Sequence, residues 1–167
     1  MAIKEALLPE YDHEMGTARK LLERVPLSES HWKPHAKSMT LGELAAHIVE
    51  IPGWVGGIVN ASFWDMASAH HEKKPAYASN AALLAAFDQS VAQARTAIAA
   101  KTDDEMMEAW SLKKGDEVIL SLPKVGVLRS WLLNHLIHHR GQLSVYIRLK
   151  NVPVPSIYGP SADESGM

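Results

Sequence analysis

Apolar residues recur every three or four positions along four separate stretches of this chain, and that rhythm narrows the fold to packed helices. Leu7, Tyr11, Met15, Ala18, Leu22 and Val25 step by four, four, three, four and three, the period of a helix with one apolar face. Arg19, Lys20, Glu23 and Arg24 supply much of its wet side, and Pro26 ends it. The second stretch starts at Thr40-Leu41-Gly42-Glu43, a capping box in which hydroxyl and carboxylate each satisfy an orphan amide. Its stripe is Leu44, Ile48 and Ile51, with His47 between them; Pro52-Gly53 predicts a kink or break, after which the helical pattern resumes through Ile58 and Phe63. The third starts near Ser79 or Asn80 and carries Leu84, Phe87, Val91, Ala94 and Ile98. The fourth follows Pro123 and runs to about Lys150 through Leu128, Leu132, His135, His139, Leu143 and Tyr146, until Val152-Pro153-Val154-Pro155 stops it.

Two regions break the rhythm. His70-His71-Glu72-Lys73-Lys74-Pro75 reads as a solvated loop. Between Lys101 and Pro123 two short apolar runs flank Lys113-Lys114-Gly115-Asp116, which predicts a small hairpin or extended excursion around Trp110–Leu120. The expected fold is therefore all-α: a four-helix bundle with long crossover connections, one domain over residues 1–167.

Composition removes several function classes. The 167 residues are 47% hydrophobic and 22% charged, too apolar for a disordered chain. Seventeen basic against nineteen acidic side chains, with no Lys/Arg run, argue against nucleic-acid binding. The lack of cysteine excludes disulfides, thiolate-bound zinc, iron–sulfur clusters and cysteine nucleophiles. Met1–Leu8 is not a signal peptide, and no apolar run approaches the roughly 20 residues of a membrane span. A cytoplasmic protein is expected.

The nine histidines carry the functional reading. His135 and His139 are four apart on one helix, so their rings leave the same face, and the rest of that stripe is apolar. His47 points inward on the second helix in the same way. A lone histidine on an apolar face is ordinarily a hydrogen-bonded core residue; two adjacent imidazoles without a shared partner are costly to bury. Three inward imidazoles form a facial ligand set that leaves positions for water or substrate, as in catalytic metal sites. All-nitrogen ligation suits zinc, nickel, copper or iron. His138, three after His135, competes with His139 as a ligand; the apolar stripe favours His139 and leaves His138 at the rim. His13, His31, His35, His70 and His71 read as solvated.

Other residues flank this set. Gln142 could bond a metal-bound water or the substrate, or simply be a polar residue near the helix end. Arg140, one position off the ligand face, is expected to pair with Asp163 or Glu164, with an anion clamp as the alternative. Trp54 and Tyr158 could wall a pocket. Glu43 is explained by the capping box, and Glu50, three beyond His47, is a carboxylate within reach of its ring.

The run His135-Leu136-Ile137-His138-His139-Arg140-Gly141-Gln142-Leu143, followed by Tyr146-Ile147-Arg148-Leu149 and by Tyr158-Gly159-Pro160-Ser161-Ala162-Asp163-Glu164, resembles the C-terminal signature of the DinB/YfiT-like family. Leu41-Gly42-Glu43-Leu44-Ala45-Ala46-His47, with Trp54 seven residues on, resembles its other motif. The resemblance implies a crossover four-helix bundle, often a homodimer, and a divalent metal, zinc or nickel, on three histidines that fall on His47, His135 and His139. It also implies a metal-dependent transferase or isomerase acting on a small-molecule substrate with a low-molecular-weight thiol. A metal-activated hydroxide doing hydrolysis would use the same ligands. The alternatives are a non-catalytic, metal-stabilised dimeric sensor or interaction module, and a purely structural histidine cluster. The Trp110–Leu120 excursion matches no motif of the family.

Overall fold

Each periodic stretch is helical in the computed structural model, which describes residues 2–68 and 76–165. Helix α1 spans Ile3–Leu22 and buries Leu7, Tyr11, Met15, Ala18, Leu21 and Leu22. Helix α2 spans Leu41–Glu50 and is closed at its start by the expected capping box: the Glu43 amide donates to Thr40 Oγ1 at 3.2 Å and the Thr40 amide to Glu43 Oε2 at 2.8 Å. At Pro52-Gly53 the chain tightens into a single 3₁₀ turn, Ile51–Gly53, and then continues as α3, Trp54–Asn60. Helix α4, Asn80–Ala99, is capped by Ser79, whose hydroxyl accepts from the Ala82 amide. It buries Leu83 together with Phe87, Ala94 and Ile98, while Leu84 is only half-buried.

The last helical stretch is longer than one regular helix. Short α6, Lys124–Val127, passes through a π turn at Leu128–Leu133 into α7, Asn134–Leu149. Asn151, at φ 57°, then turns the chain out, and the Val152 amide donates to the Ile147 carbonyl at 3.0 Å. Helix α1 packs on α4 and α7, and α2 packs on the same two, so a shared apolar core runs between them. No helix among the described residues is long and apolar enough to cross a membrane.

The all-α expectation needs correction. A three-stranded sheet joins β1 (Phe63–Asp65), β2 (Ala109–Lys114) and β3 (Glu117–Pro123) in that order. The β2–β3 hairpin is the expected excursion; Gly115 turns it at φ +62°, where L side chains are strained. Strand β1 was not foreseen. Its three residues look like the tail of the preceding helical pattern, but Ala61 leaves helical backbone at φ −118°, ψ 173°. Phe63, Trp64 and Asp65 then pair in parallel with Ser111, Leu112 and Lys113, a partner almost fifty residues away. A short helix α5, Asp103–Met107, with its own Thr102/Glu105 capping box, was also missed. The expected His70–Pro75 loop lies outside the described residues.

Candidate metal centre

Packing of α2 against α7 sets the geometry of the histidines. His47 lies in the last turn of α2, and His135 and His139 occupy successive turns of α7. Their Nε2 atoms converge: His47 to His135 is 2.9 Å and His139 to His135 is 3.0 Å. The His47 and His139 rings are 4.5 Å apart at their centroids. All three side chains are partly buried, and together they form a group able to hold a metal ion.

The outward nitrogens explain why these rings face inward. His139 Nδ1 meets Gln142 Oε1 at 2.7 Å, and His47 Nδ1 meets Glu50 Oε2 at 3.4 Å. Both partners are acceptors, which places a proton on each Nδ1 and turns the Nε2 lone pairs toward the cluster centre. A neutral His135 can offer one Nε2 proton to only one of its two neighbours. Convergence of lone pairs of this kind is what a shared cation relieves, with outer hydrogen bonds fixing ring and tautomer. Two nitrogens about 2.0–2.1 Å from one ion stand about 2.9 Å apart when they meet at a right angle. The observed separations therefore fit such an ion.

One wall is aromatic. Trp54 opens α3, with its ring 5.6 Å from His47 and 5.2 Å from His135. His138 is exposed, its ring 4.9 Å from that of His139. Tyr77 lies near Glu50: burial, and then that carboxylate's charge, hold its phenol above the ordinary range.

Arg140 goes elsewhere, and its expected partners need correction. Its guanidinium is buried against Glu14 of α1, with Nη1 at 2.6 Å from Oε2, and also donates to the Tyr158 hydroxyl. Tyr158 in turn donates to Glu14 at 2.7 Å. The tail acids expected to take Arg140 have other cations, Asp163 with Arg148 and Glu164 with Arg24. The helical offset is the reason: one position past His139 turns Arg140 by about 100°, away from α2 and toward α1. Tyr158 accordingly belongs to this ion pair and not to a wall of the histidine site. Of the histidines read as solvated, His13, His31 and His35 are exposed; His70 and His71 lie outside the described residues.

The DinB family model matches residues 4–166. The chain belongs to the DinB family. The uncharacterized protein YrdA of Bacillus subtilis (strain 168) is 26% identical over 157 residues, covering 94% of this chain and 89% of its own. Among solved structures, a DinB-like protein from Bacillus cereus ATCC 10987 superposes with a TM-score of 0.73 at 21% identity, over 92% of this chain and 97% of that one. The DinB-like protein YjoA of Bacillus subtilis gives 0.69 at 16% identity, over 97% and 99%. At these identities the two structures show a shared DinB-like fold.

The sequence reading missed three residues that line a cavity together with Trp54: Trp64, Trp110 and Trp131. Trp131 had a usable signal, since it precedes His135 by four and shares its face. Trp64 and Trp110 had none, because a nonlocal strand pairing brings them in.

Proposed function

We propose that this DinB-family chain is a metal-dependent enzyme in which His47, His135 and His139 hold one divalent transition metal, zinc or nickel. The observation that carries the reading is the convergence of three Nε2 atoms, with the outer nitrogens of His139 and His47 meeting Gln142 and Glu50. When bound, the ion supplies Lewis acidity, which lowers the pKa of a bound thiol or water. The favoured chemistry is attack of a low-molecular-weight thiol on a small electrophile, as in a thiol-dependent S-transferase or isomerase; hydrolysis uses the same residues.

The chain's own groups have definite tasks in this scheme. Gln142 and Glu50 accept from the Nδ1 atoms of His139 and His47 and so keep those two rings turned with Nε2 inward. Trp54 shields one side from water. Gln142 is thus assigned to ligand orientation, and His138 to the rim. The wider reading is a single cytoplasmic domain of the crossover four-helix-bundle type, working as a homodimer on a small molecule, with no nucleic-acid or membrane partner.

Metal content of untagged protein, measured by mass spectrometry beside His135→Ala and His139→Ala, tests the centre. About one equivalent per chain in the wild type, lost in both variants, is expected. Wild type that is metal-free and takes up neither zinc nor nickel on titration overturns the reading.

A further inference from the structure

Four of the five tryptophans meet at one place, and the small sheet is what gathers them. Strand β1 brings Trp64, β2 brings Trp110, the π turn brings Trp131 and α3 brings Trp54. Trp54 and Trp131 stack at 5.3 Å and 23°, with Trp64 and Trp110 each under 6 Å from Trp131. These four rings, with Phe63 and Gly57, line a cavity of about 240 Å³. Trp110 is fully buried, and its indole N–H is already spent on the Gly57 carbonyl at 3.2 Å. At the rim, Trp64 is 38% and Phe63 50% exposed.

The geometry points to this cavity as the binding site for a planar aromatic group on a neutral or anionic small molecule. Size comes first: a cavity of about 150 Å³ holds benzene, so this one admits a single ring with a small substituent. The walls come next, since indole faces and edges favour stacked or edge-on rings over aliphatic ones. Charge decides the class. Among the described residues no carboxylate lines the cavity, and the Lys113 ammonium already sits 4.7 Å over the Phe63 ring. A cationic ligand would meet that ammonium at the rim, with the Asp65 carboxylate beside Lys113 but outside the lining, although aromatic cages otherwise welcome cations.

Position ties the pocket to the histidines. Trp54 is a wall common to both, and Trp131 stands four residues before His135 within a π turn, a distortion that recurs at functional sites. The assignment rests on the metal-centre reading for what the bound ring would be a substrate of; the binding itself does not need the metal.

Calorimetric titration of the full chain with benzyl alcohol, once chelator-stripped and once zinc-loaded, is the test. Saturable one-to-one binding is expected in both forms, weakened at least tenfold by Trp64→Ala, which removes a rim residue without touching the core. Trp131→Phe, which keeps a ring in place, should weaken it less. Cyclohexylmethanol, similar in size but not planar, should bind several-fold more weakly. No saturable binding, unchanged affinity in Trp64→Ala, or tighter binding of benzyltrimethylammonium overturns the assignment. So does a wild-type dimer that Trp64→Ala dissociates in sedimentation, since a second copy would then fill the pocket. Ring binding in a chain that takes up neither zinc nor nickel sinks the metal centre alone; metal uptake without ring binding sinks the pocket alone.

Discussion

Two neighbouring residues, His139 and Arg140, serve opposite sides of one helix, and their chemistry differs accordingly. His139 joins a polar group that faces its neighbours through nitrogen lone pairs. Arg140 is 2% exposed and neutralises Glu14 at 5%, with the Tyr158 hydroxyl bonded to both. A buried ion pair adds little net stability, yet removing one partner leaves an uncompensated charge. Arg140→Met is expected to cost about 3–5 kcal/mol in urea denaturation. Glu14→Gln combined with Arg140→Met should recover a large part of that loss. Equal destabilisation in the single and double variants would mean that packing, and not charge, is what Arg140 supplies. Because Tyr158 is shared, the pair also fastens the C-terminal tail to α1; burial and then Glu14 push its phenol pKa up.

Among the elements, α2 shows how tightly a local signal can be held by its surroundings. Its Thr40/Glu43 box is legible in four residues, but the helix also begins hard against the Leu27–Glu29 turn. The Gly42 amide donates to the Ser30 carbonyl at 2.9 Å, and a Cβ at Gly42 would lie 3.0 Å from Ser30 Cβ and 3.2 Å from that carbonyl. In an open helix, Gly→Ala is stabilising by the helix propensity of alanine. Here Gly42→Ala is expected to destabilise by about 1–3 kcal/mol through overpacking, measured by thermal or urea unfolding. A neutral or stabilising result would show that the Ser30 turn yields easily. The π turn is the contrasting case. Nothing in the spacing of Leu128 and Leu132 announces it, since both are buried as a regular helix would bury them.

For the whole molecule, the segment after α7 acts as a strap. Asp163 pairs with Arg148 of α7 and accepts from the Val154 amide at 2.8 Å; Glu164 pairs with Arg24 and accepts from the Ser156 amide at 2.9 Å. The hydrogen bond from Arg148, and then that from Val154, hold the Asp163 carboxyl below its ordinary value of 3.8. A depressed carboxylate contributes its stability in full above the unfolded-state pKa and loses it as pH falls through the folded one. The strap should therefore stay closed at neutral pH and loosen below about pH 4. Limited pepsin digestion at pH 2 and pH 4 checks this: cleavage of residues 152–165 should be faster at the lower pH in wild type. With rates normalised to an unstructured peptide at each pH, Asp163→Asn should show a smaller difference between the two, the remainder coming from Glu164. A wild-type tail cut at the same rate at both pH values would refute the role of Asp163.

By itself the sequence determined where the long helices run, how α2 begins, where it breaks, and which three histidines face inward. Those features follow from i, i+3 and i+4 neighbours, and the chain geometry of a helix makes them local. The hairpin around Gly115 was legible for the same reason. Tertiary structure alone decided what depends on distant pairing: the parallel contact of β1 with β2, the tryptophan cluster it assembles, and the choice of Glu14 over the tail acids for Arg140. It also set the 2.9 Å approach of the His47 nitrogen to that of His135, because the spacing of α2 and α7 is fixed by the core between them.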